Sequence, residues 1–331
     1  MSPIRSFPLM AGGSGPPPSS RPVLGGCGPE GVRFGAIRRT AGSEPLPMTA
    51  TLTPPLHGRR DVDPSSDVAT AGGGRLERLL DRMGDPLDPS DYDWAHADEV
   101  RLGDEEVFQL RYAAQVEWGT EGTFASLDTS PDPVVSRFLR TWLDQEVVHA
   151  ELLVRLLEAQ GHQVDAAHRA PAQRRAARRG RAINLVARKL LGDDFSALHM
   201  AWGAVNELTT LRFYGLIRER TASPVLAAVL RDVMAQEALH HAFYHRAAVE
   251  LLRGNPRGQR IVGWALRHLW SPVGVGLRSR ADADRLVLGL LAHEPVTVAH
   301  IDAAIGTIPG LEHLGLIDGC VRDAAGSREC T

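Results

Sequence analysis

Glu146-Val147-Val148-His149 and Glu237-Ala238-Leu239-His240 are the two stretches whose reading decides the fold. In each, a carboxylate and an imidazole stand three residues apart, which stacks them on one face of an α-helix. Each is preceded by a further glutamate at nearly the same distance: Glu117 lies 29 residues before Glu146, and Glu207 lies 30 before Glu237. That distance suits one helix, a short turn and the return along a neighbour. One Glu-x-x-His alone usually marks a solvated helix face, so the weight lies in the duplication and in the paired upstream glutamates. Four carboxylates and two histidines on four helices form the ligand set of a metal pair buried in a helical bundle.

The segments around these residues carry helical periodicity. Over about 104–126, Val107, Leu110, Ala114, Glu117, Glu121 and Phe124 share one stripe. Pro131 and Pro133 mark a turn, and 133–160 aligns Leu139, Trp142, Glu146, His149, Leu153 and Leu156 before Gly161. A long connection follows over 161–194, with a short helix expected at 182–191. The third main helix, about 195–221, stripes Met200, Ala204, Glu207, Leu211 and Tyr214. The fourth, about 223–253, aligns Leu230, Val233, Glu237, His240 and Tyr244, and Gly254-Asn255-Pro256 ends it. The expected fold is all-α: helix pair, long crossover, helix pair. A short helix is expected at Arg75–Met83, and several more over 257–331, broken at Pro272, Pro295 and Pro309.

Composition sets the frame. Residues 1–75 hold 12 Pro and 13 Gly with no periodic apolar pattern, which predicts a disordered N-terminal tail, with Met48 a plausible later start. Residues 76–331 form the expected metal-binding domain, its bundle at about 104–253 and its accessory helices at 257–331. A net charge of −3 gives no global field to attract nucleic acid. No apolar run reaches membrane-spanning length, and no apolar stretch after Arg5 suggests a secretory signal. Cys27, Cys320 and Cys330 form no C-x-x-C pair, so a reducing cytoplasm is the expected location.

Buried carboxylates are expensive unless paired or metal-bound, and two divalent cations would neutralise four of them. Carboxylate plus neutral imidazole suits Fe or Mn. The expected ligands are Glu117, Glu146, His149, Glu207, Glu237 and His240; spacing assigns no bridge among the glutamates. Glu121, one turn from Glu117, competes with it less well because its offset matches the other half worse. Glu121, Asp144, Asp232 and His241 are the candidates for groups that orient the ligands. His199 and His245 read as core or surface histidines. Trp118, Trp142, Trp202 and Tyr214 lie on the metal-bearing helices, where aromatics are most often simple core. The cluster Arg174, Arg175, Arg178, Arg179 and Arg181 reads as a solvated connection, with docking of an acidic carrier protein or reductase as the functional alternative.

The pattern Glu117…Glu146-x-x-His149…Glu207…Glu237-x-x-His240 resembles the di-iron ferritin-like superfamily, which includes acyl-carrier-protein desaturases, ribonucleotide reductase small subunits, bacterioferritins and rubrerythrins. Phe138-Leu139-Arg140-Thr141-Trp142, His199–Glu207 and Trp270-Ser271-Pro272-Val273-Gly274 look like an actinobacterial ferritin-like group of unassigned activity. The resemblance implies a four-helix bundle with one long crossover, two iron ions or an iron/manganese pair, O₂, and an external electron donor such as an electron-transfer reductase. It is compatible with a homodimer. It implies an oxygen-activating oxidoreductase, desaturase- or hydroxylase-like, with an acyl chain on a carrier protein as the first substrate expectation. The alternatives are an oxygenase of a small secondary metabolite and a non-catalytic iron-binding or ferroxidase protein. The chain departs from the group in several places. It has no rubrerythrin cysteine pairs, Val233 stands where arylamine N-oxygenases carry a histidine, and Gln145-Glu146-Val147-Val148-His149 replaces the Glu-Glu-Asn-Arg-His usual in desaturases.

Overall fold

Three of the helices begin the same way, with a capping side chain followed directly by proline. Asp132 caps α3 (Pro133–Ala159) by accepting from the amides of Val134 and Val135. Ser223 caps α5 (Pro224–Leu252) through the amide of Leu226, and Asn255 caps α6 (Pro256–Leu269) through the amide of Gly258. Each cap satisfies an orphan N–H, and proline at the first helical position loses none and presets φ. The computed structural model describes residues 68–127, 132–164, 180–182 and 184–329. The chain divides after Arg60, and all of these residues belong to the unit Asp61–Thr331.

The remaining elements are α1 (Val68–Met83), α2 (Asp104–Leu127), α4 (Asp194–Arg220), α7 (Arg280–Leu291), α8 (Pro295–Ile305) and α9 (Leu316–Glu329). Residues 184–191 are helical too, within the expected connection. Among the described residues there is no strand beyond one isolated bridge, Val275 to Arg278. The chain is therefore all-α. α1 starts seven residues earlier than expected, so the glycine-rich turn Gly72–Gly74 belongs to a helix rather than to the end of a tail. The earlier part of that tail, Cys27, Cys330 and the arginines at 174–179 lie outside the described residues.

α2 packs along α3, and α4 along α5. The two pairs meet where α3 crosses α5 in antiparallel sense: Phe138 stacks on Phe243 with ring centroids 3.8 Å apart, and His149 lies 5.9 Å from His240 further along. Such aromatic pairs add about 0.5–1.5 kcal/mol beyond the area they bury. The expected stripes of α3 and α5 are buried throughout; on α2, Glu121 leaves the stripe and is exposed. α1 lies against α5 and α3, with Leu80 and Met83 in the core. No single described helix is long and apolar enough to cross a membrane; α7 and α8 reach that length only together and are bent by 109°.

α4 and α5 approach closely because Gly203 leaves room for the Tyr244 ring, which a Cβ there would strike. Tyr244 in turn meets Phe138 and Trp142 edge-on, so the fit at Gly203 sets the packing around the bundle centre. Gly203→Ala is expected to destabilise by about 1–3 kcal/mol through overpacking. Chemical denaturation with an unchanged m-value would check it; an unchanged midpoint would show that the ring moves aside freely.

Candidate metal centre

Glu117 from α2, Glu146 and His149 from α3, Glu207 from α4, and Glu237 and His240 from α5 converge at the bundle centre. None exceeds 7% exposure. They form two overlapping groups, Glu117–Glu146–His149–Glu237 and Glu146–Glu207–Glu237–His240. Within each, one ligand atom per residue lies within 4.8 Å of the others. Glu146 and Glu237 belong to both groups, so of the four glutamates they are the two that could serve two metal ions at once, a choice that spacing alone left open.

The donor atoms fit a metal pair. Glu146 Oε1, both oxygens of Glu237, and Nδ1 of His149 and His240 are buried and make no hydrogen bond. They face one another: His149 Nδ1 lies 3.2 Å from Glu237 Oε1, and His240 Nδ1 lies 3.1 Å from Glu146 Oε1 and 3.7 Å from Glu207 Oε2. Buried polar atoms without a hydrogen bond cost about 1–3 kcal/mol each and more when charged, and five such atoms within these two groups fit a site that could hold metal ions.

Electrostatics point the same way. Burial first, and the Glu237 charge second, push Glu146 up to about 7 and Glu207 up to about 8. Burial and the Glu146 charge hold Glu117 well above the carboxylate range. Burial also opposes ionisation of Glu237, but the two imidazoles beside it overcome that and keep it below the usual range. Burial opposes charge on His240 as well, yet Glu146, Glu207 and Glu237 together raise it well above an ordinary histidine. Without cations, the cluster holds protons in their place.

The surrounding groups differ from those expected. Glu121 and Asp144 are exposed, Asp232 bonds to Tyr92 and Arg231, and His241 Nδ1 is occupied by the carbonyl of Ala204. None of the four belongs to either ligand group. Gln145 and Gln236 stand beside the ligand histidines instead. Gln236 Oε1 is 2.9 Å from His149 Nε2, and Gln145 Oε1 is 2.7 Å from His240 Nε2, each reaching across to the histidine of the other helix. The sequence did carry the signal: both words are preceded by the same residue and read Gln-Glu-x-x-His.

Two aromatics touch the outer glutamates. Trp142 Nε1 donates to Glu207 Oε1 at 3.2 Å, and the Tyr214 hydroxyl donates to Glu117 Oε1. Burial and the Glu117 charge hold the Tyr214 phenol well above its ordinary value, so it keeps its proton at neutral pH. His199 sits edge-on to Tyr244, and His245 bonds to Thr307; neither joins the cluster.

A small cavity of about 40 Å³, partly open to solvent, lies between α2 and α4, with Glu117 and Tyr214 in its lining. Its walls include Val116, Phe213, Ile217, Leu286 and Leu290, and Val273 covers it. The covering turn is tied down on both sides. Tyr112 donates to the Val273 carbonyl at 2.7 Å, and Trp270 Nε1 donates to Asn206 Oδ1 at 3.0 Å. Polar wall groups are committed elsewhere, Thr209 to the carbonyls of Val205 and Asn206 and Gln109 to Glu105. The lining is therefore mostly apolar.

Comparison with protein-family models, curated proteins and solved structures finds no match for this chain.

Proposed function

We propose that the chain is a di-iron protein of the ferritin-like kind that oxidises an apolar substrate with O₂ and electrons from an external reductase. The observation that carries this reading is the pair of overlapping buried ligand groups sharing Glu146 and Glu237, with their donor atoms unpaired. Glu117 and His149 would complete one metal's ligands, and Glu207 and His240 the other's. Bound there, the pair would supply the redox chemistry that protein side chains lack. The chain's own part is to fix ligand geometry, exclude water and place the substrate.

Tyr214 holds its proton on the phenol oxygen and hydrogen-bonds Glu117, which orients that carboxylate. Trp142 does the same for Glu207. The small cavity lies at this edge of the centre, and its mostly apolar lining beside Glu117 favours an apolar substrate. An acyl chain is apolar in the same sense, and with the resemblance to desaturases this makes desaturation or hydroxylation of a carrier-bound acyl group the favoured reaction, for which the small cavity would have to widen. A polar secondary metabolite fits the wall less well.

Anaerobic reconstitution with Fe(II) tests the reading. About two irons per chain are expected, with oxidation on exposure to O₂ that an acyl-carrier substrate accelerates. Iron oxidation indifferent to any apolar substrate would favour the ferroxidase alternative, and absence of tightly held iron would remove the di-iron reading altogether.

A further inference from the structure

We propose that Gln145 and Gln236 are positioning residues that fix both histidines as Nδ1 ligands and couple metal binding to the docking of α1. The inference rests on the di-iron reading. It follows from which atoms can donate. Gln145 Nε2 lies 2.9 Å from the carbonyl oxygen of Met83 and 3.2 Å from that of Gly84, and Gln236 Nε2 lies 2.9 Å from that of Asp85. A backbone carbonyl only accepts, so each amide must turn its NH₂ toward residues 83–85 and its Oε1 toward the bundle. An amide oxygen also only accepts, so each imidazole must carry its proton on Nε2. In the neutral ring that leaves Nδ1 bare, and the Nδ1 atoms of both histidines are the nitrogens that face the carboxylates without a hydrogen bond. Three carbonyls at the end of α1 thus dictate the tautomer of both histidines.

The strap is built from what α1 has to spare. The last carbonyls of a helix lack intrahelical partners, and Met83 is the last residue of α1. Gly84 follows with φ +68°, a left-handed turn that favours glycine, and the carbonyls of Met83, Gly84 and Asp85 all face the glutamines. Leu80 and Met83 bury beside them, so seating α1 and orienting the two amides are one packing event. The choice of glutamine matters as well. Four glutamates already balance two divalent cations, and an amide orients the imidazole without adding a fifth and sixth negative charge.

Binding coupled to an ordered contact is reciprocal: metal should steady the strap, and loss of the strap should weaken metal binding. The test uses the full chain, with Fe(II) under anaerobic conditions, chelator competition for affinity, and hydrogen exchange of the backbone amides at 83–87. In the unsubstituted chain, iron is expected to slow exchange over 83–87. Gln145→Leu and Gln236→Leu should each lower iron affinity about 10- to 100-fold, and the double substitution should abolish the iron-dependent protection. Gly84→Val, which disturbs the strap without touching α3 or α5, should weaken iron binding in the same direction. Wild-type affinity in folded glutamine variants would overturn the positioning role, and iron loading without protection at 83–87 would overturn the coupling. A wild-type chain that binds no iron would overturn both along with the di-iron reading, so the failures are told apart by the wild type alone.

Discussion

Glu237→Ala is expected to empty both metal sites, whereas Glu117→Ala is expected to empty one. Glu237 contributes to both ligand groups and is fully buried, with each of its oxygens directed at a different imidazole: Oε1 at His149 and Oε2 at His240. Removing it deletes one ligand from each metal and the charge that holds the two imidazoles in place. Glu146→Ala shares that fate, since it too belongs to both groups. Glu117 and Glu207 serve one group each. Iron content after anaerobic loading and desalting should fall from about two per chain to nearly none for Glu146→Ala and Glu237→Ala. It should fall to about one for Glu117→Ala and for Glu207→Ala. The half-loaded pair is the discriminating result. If all four substitutions removed the same amount of iron, the sharing assigned to Glu146 and Glu237 would be wrong, even with the ligand set correct.

What could be read in advance was what helical periodicity carries. The two Glu-x-x-His words and their upstream glutamates are local signals, and local geometry settles them. Glu117 over Glu121 was decided by offset, and the structure buries the first and exposes the second. The orienting groups were missed because they act across helices: Gln145 serves His240, 95 residues away, and Gln236 serves His149, 87 residues away. No spacing rule on one helix exposes such a crossed pair. The acids nearest in sequence, Asp144 and Asp232, lie off the inward stripe. The start of α1 was missed for another reason. Three consecutive glycines weaken any helical signal, and what seats this helix is Leu80, Met83 and the carbonyls beyond them, all of which depend on α3 and α5 being in place.

Without metal, the chain should lose thermal stability as pH rises from about 5 to 8.5, and with metal that loss should vanish, so the two melting curves diverge toward alkaline pH. The sign follows from the direction of each shift. Glu146 and Glu207 are raised to about 7 and about 8 by burial and by the Glu237 charge, and Glu117 is raised by burial and the Glu146 charge. An unfolded glutamate titrates near 4.3. Between that value and the raised ones the folded state binds more protons than the unfolded state, so stability falls with pH. It is fully present below the unfolded value and is lost as pH passes about 7 and about 8. His240, raised by its three carboxylate neighbours, adds in the same direction, since its contribution is complete below about 6.5 and fades above its folded value. Glu237 is lowered, so its contribution is lost only on acidification below the ordinary carboxylate value, outside this window. The summed loss is on the order of several kcal/mol, or roughly 10 °C in melting temperature for a domain of this size. Metal ligands must be deprotonated, so binding releases protons and strengthens as pH rises. Parallel scans of metal-free and iron-loaded protein at pH 5, 7 and 8.5 test this directly. Two melting curves that run parallel would mean that the buried carboxylates do not exchange protons for metal.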